Sequence, residues 1–280
     1  MLSAVERILA LALYLFQSLL LSLAGLLYTV ASLAFYIVIF DPRQHTPDFD
    51  YYFLVVGLYG AGLAFLVTLS AGSRANQAEN FPFLARLPSR AEFLSATFLA
   101  ALAFTLLLQF VLALAAAALN GPMVSLWQLA SLPPVWLAAD ILFVALALHA
   151  SDLVAHNWSR SAVYGALAVL LYARGGSDQL GGWLVGAAER AGNGLLGRGR
   201  IETATVVFRI GDWLGSTFIE ALEGALSLFF WPFAAIRDAA LAGQFSPVQA
   251  LAPTVLLFYA AILYLLAADF FATKDLYLTE

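Results

Sequence analysis

Few residues in this chain could do chemistry, and most lie in or beside apolar runs. Asp140 sits inside one such run, where a central carboxylate costs about 2.5–3.5 kcal/mol on insertion scales. It reads either as a polar contact on a transport path or proton site, or as a side chain that snorkels or bonds a neighbouring helix. His149, Asp152 and His156 fall at i, i+3 and i+7 and could offer two imidazoles and a carboxylate to a metal. On one helix those three cover about 10 Å of rise, more than a single ion can bridge, so they read as a polar helix end and no metal site is expected. Cysteine is absent, which removes thiol nucleophiles, disulfides and Cys-ligated metals. Lys274, the one lysine, follows Thr273, so there is no P-loop. Neither His-Glu-x-x-His nor Gly-x-Ser-x-Gly occurs. The expectation is a chain that is not an enzyme, with no catalytic residues and no cofactor of its own.

The elements that must position these residues are set by composition. Of 280 residues, 62% are apolar and 11% charged, against about 45–50% and about 25% in ordinary globular proteins. That balance predicts an all-α integral membrane protein embedded in a lipid bilayer and excludes a disordered chain or a nucleic-acid binder. At about 20 helical residues per crossing, the apolar runs give about six transmembrane helices in a single polytopic domain over 1–280: spans near 17–40, 53–70, 93–119, 134–150, 161–173 and 253–271. Residues 2 to 16 read as an N-terminal interfacial helix. Gly57, Gly60 and Gly62 would let a neighbouring helix approach the second span. Segment 174–250 is Gly-rich and then amphipathic; nine of the 25 residues from Gly175 to Gly199 are glycine, which suggests irregular, closely packed backbone. From Glu202, polar residues recur as Thr205, Arg209, Asp212, Ser216, Glu220, Glu223 and Ser227, a narrow stripe on one helix. That segment reads as interfacial or re-entrant helices between spans five and six, on the extracytoplasmic side. Six basic residues in short loops on one side, against Arg43 on the other, place both termini in the cytoplasm.

The loop from Ser73 to Leu94 says most about function. Ser89 can cap the helix of the third span, with Glu92 in its first turn. Before it, Phe81, Phe83, Leu84 and Leu87 accompany Arg86. Apolar anchors beside arginines in a cytoplasmic loop suit docking into a partner's groove, or an amphipathic loop resting on lipid headgroups.

The run Leu87-Pro88-Ser89-Arg90-Ala91-Glu92-Phe93-Leu94, followed by an Ala/Leu-rich span, resembles the region after the coupling helix in permeases of type-two ATP-binding-cassette (ABC) exporters. The ending Ala268-Asp269-Phe270-Phe271-Ala272-Thr273-Lys274-Asp275-Leu276 resembles the close of their sixth span. Six spans, an N-terminal interfacial helix and membrane-dipping helices between spans five and six match that plan, although the fifth span is shorter and the 174–250 segment longer. The resemblance implies an ABC transporter permease subunit in the cell membrane, paired with a second permease subunit, identical or not, and with separate ABC ATPase subunits that carry the ATP. It implies an ATPase-coupling role for Phe81, Phe83, Leu84, Arg86 and Arg90, and leaves Asp140 as a polar group on the pathway. The alternative is a non-transporting accessory or scaffold subunit of a larger membrane complex.

Overall fold

A computed structural model describes residues 3–45, 48–122, 125–154, 157–172, 177–242 and 246–273. Among the described residues the regular structure is helical throughout: α1 (Ala4–Leu20), α2 (Leu23–Ile39), α3 (Phe49–Ala75), the short α4 (Phe81–Arg86), α5 (Arg90–Asn120), α6 (Leu126–Ala150), α7 (Asn157–Tyr172), α8 (Ser177–Leu196), α9 (Ile201–Trp213), α10 (Ile219–Phe229), α11 (Trp231–Ala242) and α12 (Ala252–Thr273). Four helical stretches are long and apolar enough to cross a membrane alone: α3, α5, Leu132–Ala150 of α6, and Gln249–Thr273 including α12. Two sets of consecutive helices, α1 with α2 and α9–α10 with α11, reach that standard only when taken together, so the chain is a multi-pass membrane protein of four to six spans. Helix α7, where the fifth span is expected, has 16 residues, short of the about 20 that a perpendicular crossing takes.

The contacts divide the chain into two compact units, 1–163 with 232–280, and 164–231, where composition alone suggests one domain. In the larger unit α3, α5, α6 and α12 pack side by side, with α1 along α5 and α6 between α3 and α12. Glycine sets how closely α3 approaches α6 and α5. A methyl built on Gly57 would lie 2.9 Å from the Trp136 ring, and one on Gly60 would lie 1.9 Å from Gln109 Nε2. Gly62, expected to do the same, faces open space. It lies off the packed stripe, because positions 57 and 60 share a helix face and position 62 does not.

Helix α1 opens with a capping box, Glu6 N–H donating to Ser3 Oγ at 3.3 Å and Ser3 N–H to Glu6 Oε2 at 2.7 Å. Its buried stripe is Leu11, Ala12, Leu15 and Leu19. Arg7 pairs with Glu92 at 2.7 Å at the start of α5, and Phe16 meets Phe104 three turns further on. Helix α1 thus accompanies α5, with Val5, Leu9 and Leu13 exposed on its outer face. Its polar residues Glu6, Arg7, Gln17 and Ser18 fall on one side of the helix, the side on which Arg7 meets Glu92 and Ser18 meets Arg74. Sequence places the first span from 17, but the break comes at Leu21–Ser22, where the chain turns by 68°. Ser22 Oγ accepts the Gly25 N–H at 3.0 Å and donates to Leu19 O at 2.6 Å. Only glycine fits at 25, where a Cβ would sit 2.2 Å from Leu19 O.

The far end of α5 is held by Asn120, which is 1% exposed. Its Nδ2 donates to the carbonyls of Phe40, Asp41 and Gln44 at 2.6, 3.0 and 2.9 Å, and its Oδ1 accepts from Tyr36 Oη at 3.1 Å. Gly121 then ends the helix in the left-handed region at φ 62°. Helix α6 begins at Leu126, earlier than the Pro133-Pro134 pair suggests, and carries both prolines inside it.

In the smaller unit residues 177–196 of the glycine-rich run form a regular helix, α8, rather than irregular backbone, while Gly175 and Gly176 lie outside the described residues. Its glycine serves helix packing: Gly192 admits the Phe208 ring, and Gly211 on α9 admits Ala188. The striped helix runs from Ile201 to Phe229 through one π-helical turn at Leu214–Phe218. Glu202, Thr205, Arg209, Asp212, Ser216 and Glu220 are exposed along it, while Ala204, Gly211 and Ile219 are buried.

Candidate functional site

The loop between α3 and α5 folds as a 3-10 turn, Ala78–Asn80, and the six-residue α4, with Pro82 in the first turn, where its missing N–H is harmless. Asn80 Nδ2 donates to Arg74 O at 2.8 Å, and Arg74 reaches Ser18 O and Oγ at 3.2 and 3.1 Å, fastening the loop and the end of α3 to α1. Ser89 caps α5 as expected, accepting the Ala91 N–H at 3.2 Å. Glu92 lies in the first turn, but its carboxylate is committed to Arg7.

The five residues expected in coupling separate into groups. Phe83 and Arg86 are exposed, with Phe83 against the Tyr14 ring at 5.4 Å between centroids. Phe81 is half-buried. Leu84 turns inward and, with Leu87, packs on a core that includes Leu11 and Leu15 in the body of α1, Phe93 at the start of α5 and Phe271 at the end of α12. Arg90 donates to the carbonyls of Phe271 and Ala272 at 3.4 and 3.3 Å, where a cation suits the negative end of α12. The inner face of α4 thus rests, through Leu84 and Leu87, on a core shared by α1, α5 and α12.

The second polar feature lies inside the bundle. Asp140 on α6 is fully buried, and neither carboxylate oxygen has a hydrogen-bond partner among the described residues. It faces Gly60 of α3, where a Cβ would lie 2.9 Å from Asp140 Oδ1 and 1.9 Å from Gln109 Nε2. Gln109 on α5 is 3% exposed, and its Nε2 donates to Val56 O at 3.3 Å. One turn earlier on α5, Thr105 is buried with its Oγ1 unpartnered. An acid and an amide from two helices thus gather where glycine opens room on a third. Sequence singles out Asp140 alone. The signal for the others was available, since Thr105 and Gln109 are polar residues four apart in an apolar span, hence on one face.

The spaced histidines make no cluster. His149 Nε2 donates to Leu263 O at 2.8 Å and its ring meets Phe270 edge-on. Asp152 pairs with Arg160, which also donates to Ala150 O, and His156 lies outside the described residues. Among the described residues no group of three or more His, Asp or Glu could hold a metal. Comparison with protein-family models, curated proteins and solved structures finds no match to this chain.

Proposed function

We propose that the chain is a permease subunit of an ABC transporter, an exporter, seated in the cell membrane with both termini in the cytoplasm. It pairs with a second permease subunit and couples to separate ATPase subunits that bind the nucleotide. The observation that carries this reading is the build of α4: a short helix between two full-length spans that exposes Phe83 and Arg86 and seats Leu84 and Leu87 on a core shared by α1, α5 and α12. An ATPase gripping the outer face would move three membrane helices at once. An accessory subunit would have no use for an exposed apolar and basic anchor on a rigid seat.

Hot-spot truncations cost about 2 kcal/mol or more, so Phe83→Ala with Arg86→Glu weakens ATPase association by well over tenfold. Both side chains are exposed, so the permease still inserts and melts as the parent does. The measurements are co-purification with the ATPase in mild detergent and ATP hydrolysis in liposomes. A double variant that binds and stimulates the ATPase as the parent does removes the coupling role. A parent chain with which no ATPase co-purifies is instead an accessory subunit.

A further inference from the structure

Between α5 and α6 lies an apolar groove of about 640 Å³, within the about 300–1,000 Å³ of small-molecule sites. Its α5 wall runs from Ala103 to Ala117, about 21 Å of helix rise. Four aromatic side chains line it: Phe16, Tyr52, Phe110 and Trp136. Two of them have spent their polar groups on backbone, Tyr52 Oη donating to Ala113 O and Trp136 Nε1 to Phe53 O, each at 3.1 Å. Gln109 is the remaining polar side chain in the wall, and behind it lies Asp140, one helical turn beyond the groove residues Trp136 and Leu137.

We propose that this groove binds hydrophobic aromatic cations, with Asp140 as the unpaired counter-charge, Gln109 as the polar contact between them, and the aromatic rings as the cation's walls. A carboxyl away from water stays neutral unless a cation supplies the compensating charge, and no ion pair among the described residues includes Asp140. Aromatic faces attract cations within about 6 Å of the ring centre, most strongly when desolvated. An acyl chain would fill the groove yet make no use of Gln109 and the carboxyl behind it, and an organic anion would oppose the ionisation of Asp140 that a cation favours. Calling the ligand a transported substrate rests on the permease reading; binding itself does not.

The test is equilibrium binding of radiolabelled tetraphenylphosphonium to the purified full chain in phosphatidylcholine nanodiscs, with no ATPase present. Saturable binding at one site per chain is expected, weakened tenfold or more by Asp140→Asn. Ala117→Trp, which fills the groove from an exposed position and leaves Asp140 in place, abolishes it. Tetraphenylborate, of the same shape and opposite charge, shows no saturable component. The proposal is overturned if the parent binds neither ion, binds both alike as a groove for lipid chains would, or loses nothing with Asp140→Asn. Should Asp140→Asn fail to fold, the two ions and Ala117→Trp still decide. Cation binding by a chain that recruits no ATPase would sink the permease reading and spare this one, and the converse result would do the opposite.

Discussion

Replacing Asn120 by alanine removes four hydrogen bonds at one point. Two, to Phe40 O and from Tyr36 Oη, are buried; the other two, to Asp41 O and Gln44 O, lie at the half-exposed start of the loop after α2. A net bond contributes about 0.5–1.5 kcal/mol, and a buried group left without a partner loses toward the upper end. Counting the buried pair near the top of that range and, because Nδ2 has two hydrogens for three carbonyls, the outer pair as one bond near the bottom gives a loss of about 3.5 kcal/mol. For a chain of this size that lowers the melting temperature by roughly 6–9 °C. Asn120→Asp does no better, since a carboxylate cannot donate to three carbonyls. Tyr36→Phe removes one bond and costs about 1 kcal/mol, and the double variant with Asn120→Ala costs less than the sum because the two share that bond. The assay is thermal unfolding in detergent followed by tryptophan fluorescence, with limited proteolysis at Arg43 reporting the loop. If Asn120→Ala melts within 1 °C of the parent and its loop is cut no faster, the clamp does not hold the α2–α3 connection.

Three further outcomes follow from the packing. Gly60→Val forces Gln109 and Asp140 aside and destabilises by about 1–3 kcal/mol, whereas Gly62→Val, facing open space, stays within about 0.5 kcal/mol; equal melting shifts would refute the α3–α6 contact. Arg7→Glu and Glu92→Arg each lower stability, and the double swap restores it; additive losses would show that the pair does not join α1 to α5. The cysteine-free chain permits clean labelling: single cysteines at Ser89 and His45 should react with a membrane-impermeant reagent from opposite sides, Ser89 from the cytoplasm, and labelling of Ser89 from outside would reverse the orientation.

Much of the architecture is legible in the sequence because the bilayer leaves few solutions: a long run of apolar residues must satisfy its own backbone and becomes a helix. Residues 53–70, 93–119, 134–150 and 253–271 all lie within helices long and apolar enough to span. The Ser89 cap was equally readable, since its bond joins neighbours in the chain. What needed the tertiary structure are relations between residues far apart. Arg7 looks like a flanking charge until Glu92 is seen against it, and Arg90 looks like a docking arginine until the carbonyls at the end of α12 are placed beside it. Leu84 and Phe83 are adjacent and both apolar, yet only packing on Phe93 and Phe271 decides that one anchors while the other stays outside. Asp140 announces itself by its charge in an apolar run. That Gly60 opens room for it, that Gln109 stands between it and an aromatic groove, and that nothing pairs with it among the described residues depend on how three helices are rotated about their axes. Composition constrains those rotations weakly, because nearly every face of these helices is apolar.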